Sequence, residues 1–128
     1  MTDKHLDARG KGMVDYDYKD DTLFFKIKDR HYMKSIDFED IVLDIDKEGY
    51  IIGIQIFGAS GFFKLPKLAL NNIKYMEFDA RAENNIIKLR LLFRCMLRNK
   101  EIVQAGENLE RESTSPLQDK TVLCSVEA

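Results

Sequence analysis

The sequence predicts a mainly antiparallel β fold of the α+β class: successive hairpins forming a twisted sheet or small sandwich, with one short helix near 65–72. Three observations carry this. Apolar residues recur with period two, the spacing that places alternate side chains on opposite faces of a strand. Turn-forming Asp, Asn and Gly residues separate the apolar runs. Only one stretch carries helix signals. Leu, Ile, Val and Phe make up 38 of the 128 residues, well above the roughly 20% below which chains stay disordered. Two cores at this length would have about 60 residues each, so a single domain is expected over 1–128.

Residues 1–13 mix both charge signs and contain no apolar run or secretory h-region, and read as a loose polar lead-in. Leu23, Phe25 and Ile27 then alternate with Thr22, Phe24, Lys26 and Lys28, after a turn at 18–21. Tyr32 to Ile36 is a weaker strand. Ile41, Val42, Leu43 and Ile45 run into Asp46-Lys47-Glu48-Gly49 and then Tyr50 to Phe57, a hairpin whose return needs the positive φ that Gly49 supplies. Pro66 suits a first helical turn, and Leu65, Leu68 and Leu70 precede Asn71-Asn72.

A two-residue turn at Asn84-Asn85 sets the register of the second half. One face then pairs Met76 with Phe93, Phe78 with Leu91, Ala80 with Leu89 and Ala82 with Ile87. The other pairs Asp79 with Arg90, Tyr75 with Arg94 and Glu77 with Leu92. A slip of one residue would expose the apolar set. A further strand is expected from Ile102, after a turn near Asn99-Lys100, followed by a polar connection over 107–118. Thr121 to Val126 reads either as a final strand or as a frayed tail.

The formal charge of −2 excludes the strongly basic footprint of a nucleic-acid binder. That value conceals an asymmetry: 9 basic and 13 acidic residues over 1–50, against 11 and 9 over 51–128. The longest uncharged stretch, Gly49 to Phe63, falls short of the about 20 residues of a bilayer span, so no membrane association and a cytoplasmic location are expected. The two Cys, at 95 and 124, make neither a disulfide scaffold nor a four-Cys zinc site.

Tyr16-Asp17 with Asp21 and Leu23, followed by LDIDKEGYIIGIQIFGAS over 43–60, resembles the YuzE-like family of small prokaryotic proteins of unknown function. Asp44, Asp46, Gly49, Gly53, Ile54, Ile56, Ala59 and Ser60 fit its pattern, while Gln55 stands at a usually acidic position. The resemblance covers about 14–60, a family-like β unit, with a helix plus a β extension over 61–128. It implies a small, β-rich, intracellular protein without established catalytic residues. Some members of that family are encoded beside small toxin-like proteins, so the resemblance points to an antitoxin-like or partner-binding role.

Asp44-x-Asp46-x-Glu48-Gly49 resembles the opening of a calcium loop, but its twelfth position is Gln55 and strands flank it, which favours a plain hairpin turn. Asp17, Asp21, Asp44 and Asp46 are the candidates for a divalent ion if the two hairpins bring them together. Lys88, Arg90, Arg94 and Arg98 share one face of a strand and form a candidate ribbon for an anion or nucleic acid. Glu77 and Asp79 oppose them, which favours a cross-strand charge ladder and makes nucleic acid an unexpected partner.

Cys95 keeps register with Leu89, Leu91 and Phe93, and reads as a buried hydrophobe. Gly58-Ala59-Ser60-Gly61 lacks a nucleophile elbow and a phosphate-loop Lys. Phe62 and Phe63 cannot both point inward if extended, so they are the candidate interface. No cofactor and no catalytic residue is expected. The leading functional expectation is a non-enzymatic interaction module, a homodimer that binds another protein. An ion- or anion-binding protein comes next, then an enzyme whose site would pair His31 with a desolvated carboxylate.

Overall fold

The computed structural model describes residues 4–104 and 108–127. Eleven strands and two short helices follow one another as β1 (His5–Arg9), β2 (Gly12–Asp17), β3 (Thr22–Ile27), β4 (Tyr32–Asp37), β5 (Ile41–Asp46), β6 (Ile51–Phe57), α1 (Ala59–Phe63), α2 (Lys67–Leu70), β7 (Ile73–Glu83), β8 (Ile86–Leu97), β9 (Lys100–Gln104), β10 (Asn108–Glu112) and β11 (Lys120–Glu127). They build two sheets. Sheet A runs β1-β11-β7-β8-β10, with β9 also on β8; sheet B runs β2-β3-β6-β5-β4. All the pairings are antiparallel except β1 with β11. Among the described residues the chain is mostly strand, as the period-two pattern requires, and helix is confined to segments of five and four residues.

The Asn84-Asn85 register is the one observed: Met76 faces Phe93, Phe78 faces Leu91, Ala80 faces Leu89 and Ala82 faces Ile87. Both Asn residues are left-handed, at φ 52° and 62°, which matches the right-handed twist of the strands they join. Gly49 turns the 41–57 hairpin at φ 89°.

The inward faces of the two sheets share one hydrophobic cluster. The rings of Phe25 (sheet B) and Phe78 (sheet A) stand 5.6 Å apart across it. α1 closes one end, with Phe63 edge-on to Phe93 at 4.8 Å. Burying each such side chain contributes about 1.5–3 kcal/mol. None of the described helices is long and apolar enough to cross a membrane.

Four expectations are corrected. The loose lead-in contains β1 and the start of β2; its few large apolar groups hid a strand held by backbone pairing with β11, with only Ala8 buried. Phe62 and Phe63 are not extended but occupy one helical turn, which buries Phe63 and leaves Phe62 half-buried on its edge, 4.9 Å away. The polar connection over 107–118 contains β10, which pairs with the first half of β8. The turn after β8 is Arg98-Asn99, both left-handed, so the next strand starts at Lys100. The open choice at Thr121 to Val126 resolves as strand β11, between β1 and β7.

Candidate functional site

Two polar clusters fix the ends of sheet B. In the first, the left-handed turn residue Asp21 (φ 52°) points its carboxylate at the start of α1. Its Oδ1 accepts from the Tyr16 hydroxyl at 2.5 Å and the Ser60 N–H at 3.0 Å, and its Oδ2 accepts from Ser60 Oγ at 2.6 Å. The Asp21 carbonyl accepts from Ala59 N–H at 2.9 Å. α1 has no side-chain cap of its own, so Asp21 satisfies two of its first N–H groups from across the fold. Partial burial works to raise the Asp21 carboxyl, but the bonds from Ser60 and Tyr16 outweigh it and hold the group below the usual carboxylate value. Burial and the bond to Asp21 push the Tyr16 phenol up. Ser60 therefore faces a weakly basic carboxylate, and the trio acts as a latch.

In the second cluster, Asp46 is 3% exposed. Its Oδ1 accepts from Glu48 N–H at 3.0 Å and Tyr50 N–H at 2.9 Å, ordering the 46–50 turn. Its Oδ2 accepts from Arg30 Nε at 2.8 Å, and Arg30 Nη2 also reaches Glu48 at 2.8 Å. Buried Tyr50 lies between two cations, with Arg30 Cζ 5.4 Å and Lys120 Nζ 4.7 Å from its ring centre. A pocket of about 170 Å³ here does bring His31 beside the desolvated Asp46. Both oxygens of that carboxylate, however, are already taken up by two backbone N–H groups and the Arg30 guanidinium.

The metal candidates thus separate. Asp21 and Asp46 belong to different clusters, Asp44 accepts from Ser35 Oγ at 2.8 Å, and Asp17 accepts from Asp20 N–H at 3.0 Å. Among the described residues no three metal-ligating side chains converge.

On the outer face of sheet A, Lys88, Arg90 and Arg94 do lie in line, but Arg98 is in the turn beyond. Acidic groups approach this line: Arg90 lies 3.8 Å from Glu77, and Arg94 lies 3.8 Å from Glu101 and 4.7 Å over the Tyr75 ring. In register, Lys88 stands between Arg81 and Glu110. Cys95 and Cys124 are buried and unbridged, and burial raises both thiols, Cys124 to about 12.

The outer face of sheet B differs. Its central row reads Asp15, Phe24, Gln55, Val42, Asp37 across the five strands, and the next reads Met13, Lys26, Gly53, Asp44, Ser35. Met13, Phe24 and Phe57 are 45%, 36% and 42% exposed. At Gly53 the sheet has no side chain to present. A Cβ added there would lie 3.2 Å from Asp44 Oδ2 and 3.4 Å from Lys26 Cβ, so these two side chains lean over Gly53. Beside them the face holds an open dent of about 420 Å³ walled by Met13, Asp15, Phe24, Lys26, Asp44 and Gln55. Sequence reasoning passed over this face. Its signal was Phe24 and Phe57, large aromatics on the polar phase of their strands.

Comparison with known proteins places these elements. The family described as "Protein of unknown function (DUF2283)" matches residues 13–60, which span sheet B and reach the latch at Ser60. A Methanosarcina mazei protein with the provisional name hypoxanthine phosphoribosyltransferase is 38% identical over 86 residues, covering 67% of this chain and 70% of that protein. An uncharacterised protein of Methanocaldococcus jannaschii is 32% identical over 95 residues, covering 73% and 82%. Both alignments are too long to end at residue 60, so part of the helix and β extension is shared with these relatives. No solved structure matches the chain.

Proposed function

The chain belongs to the DUF2283 family of proteins of unknown function, and we propose that it is a non-enzymatic protein-binding module whose contact surface is the outer face of sheet B. The finer YuzE-like assignment and an antitoxin-like role belong to the same reading. The observation that carries it is the exposure of Met13, Phe24 and Phe57 together on one open sheet face. Apolar groups gathered on a face with a polar rim favour association. The candidate pair Phe62 and Phe63 does not support this role, because Phe63 is core; the homodimer expectation loses that basis with it.

The provisional name of the Methanosarcina relative raises phosphoribosyl transfer as a second reading. That chemistry needs several N–H groups or cations aimed at a diphosphate. The helices here have five and four residues, and the arginines of sheet A face carboxylates, so the binding reading is preferred. Affinity capture with the wild-type chain and with Phe24→Ser, both verified as folded, tests it. A binding protein retained by the wild type and lost with Phe24→Ser supports the module. Equal retention by both contradicts the assigned surface.

A further inference from the structure

We propose that the dent between Asp15, Phe24 and Asp44 receives a cationic side chain, an Arg or Lys with apolar neighbours, from an extended segment of a partner protein. The inference rests on the binding-module reading and names the chemistry of its partner.

Charge supplies the first argument. Within its strands the outer face of sheet B carries four carboxylates, Asp15, Asp17, Asp37 and Asp44, against one ammonium, Lys26. Two copies placed face to face would oppose these carboxylates, a repulsion that disfavours the isologous dimer. A cationic partner gains from the same arrangement.

Geometry supplies the second. The Asp44 carboxylate is fixed by Ser35 Oγ on Oδ1, which leaves Oδ2 directed over Gly53. Asp15 stands on the opposite wall, and the exposed ring of Phe24 stands between the two. A guanidinium in this dent meets a preoriented carboxylate oxygen, a second negative charge and an aromatic face, the three groups that recognise Arg best, against the single ammonium of Lys26 on the wall. Met13 on the same wall, and Phe57 one row beyond the dent, offer apolar contact to the residues on either side of it.

Openness supplies the third. Enclosed small-molecule sites bury most of their ligand, whereas this depression lies open along a sheet face and suits a side chain carried in on a backbone.

The test titrates the isotopically labelled full chain with three synthetic hexapeptides, of alternating Arg and Leu, Glu and Leu, and Arg and Ser, following backbone amide shifts. The expected result is saturable shifts at Phe24, Gly53 and Gln55 with the Arg-Leu peptide. The expected affinity is at least tenfold lower with Arg-Ser, and at least tenfold lower for the Asp44→Asn and Asp15→Asn variants, both surface changes compatible with folding. The Glu-Leu peptide is expected to produce no saturation. Equal response to the Glu-Leu peptide, unchanged affinity in both variants, or shifts centred on sheet A would overturn the inference. Shifts of the same face on simple concentration, without peptide, would assign it to a second copy and overturn it as well. If the peptides fail while Phe24→Ser abolishes capture of a protein partner, the charge inference falls and the binding module stands.

Discussion

Asp21 and Ser60, 39 residues apart, are joined twice: the Ser60 hydroxyl donates to one carboxylate oxygen at 2.6 Å and its N–H to the other at 3.0 Å. This pair ties the turn before β3 to the first turn of α1, and so fixes the point where the chain leaves sheet B. With Tyr16 and Ala59, which bond the Asp21 carboxylate and carbonyl, the pair forms one hydrogen-bonded unit.

Breaking the pair is expected to cost stability in a coupled way. Bonds to a charged group contribute about 1.5–3 kcal/mol each; Asp21→Ala removes three of them and is expected to lose at least about 3 kcal/mol, while Ser60→Ala removes one and should lose about 1.5 kcal/mol. Urea denaturation of both single variants and the double variant checks this. The double variant should lose clearly less than the sum, because the second change removes a bond already gone.

The same carboxylate makes stability depend on acid. Its folded pKa lies below the ordinary value of 3.8. Its contribution is therefore complete above that value and disappears as pH falls through the lower folded one. Denaturation series between about pH 5 and pH 2 should show a shallower loss of stability in Asp21→Asn than in the wild type. Parallel curves would assign the acid sensitivity to other carboxylates.

Arg30 neutralises the buried Asp46, and the two directions of disruption are unequal. Arg30→Met leaves a carboxylate at 3% exposure without its cation, a loss expected near 3 kcal/mol. Asp46→Asn keeps an oxygen for the Glu48 and Tyr50 N–H groups and leaves Arg30 its bond to Glu48, so it should cost less. Urea midpoints in the reverse order would show that the turn bonds dominate.

The two left-handed hairpin turns should answer differently to glycine. Asn99, at φ 64°, sits in an exposed turn, and relief of its strained backbone by Asn99→Gly is expected to stabilise by about 0.5 kcal/mol. Asn85 has nearly the same φ, 62°, but its side chain accepts from Leu117 N–H at 2.9 Å. Asn85→Gly should therefore show no gain in melting temperature, because the relief is offset by that lost bond.

The β7–β8 hairpin was legible to the residue because one register sorts large apolar and charged side chains together. β1 and β10 were not. Each is a five-residue edge strand with few large apolar groups, completed by pairing with segments distant in sequence. α1 was missed for a related reason: a single turn containing Gly61 and two Phe has little helical preference and is held by Asp21 from 39 residues away. The 44–49 run reads as a hairpin turn, but Asp44 lies within β5 and Asp46 is buried, and their partners, Ser35 and Arg30, come from neighbouring strands and turns and leave no spacing signature. The candidate surface was half visible, in Phe24 on the wrong phase of its strand. The dent beside it depends on Lys26 and Asp44 meeting over Gly53 across two strand pairs, which only the assembled sheet reveals.

Site-specific photo-cross-linking tests the central claim most directly. A benzoylphenylalanine is placed at position 24, 62 or 90 of the full chain, and the cells that express it are irradiated. The outer face of sheet B predicts a discrete covalent adduct with another protein from position 24, and none from 62 or 90. Adducts from 62 or 90 with none from 24 would contradict the account and return the surface to α1 or to the charged face of sheet A.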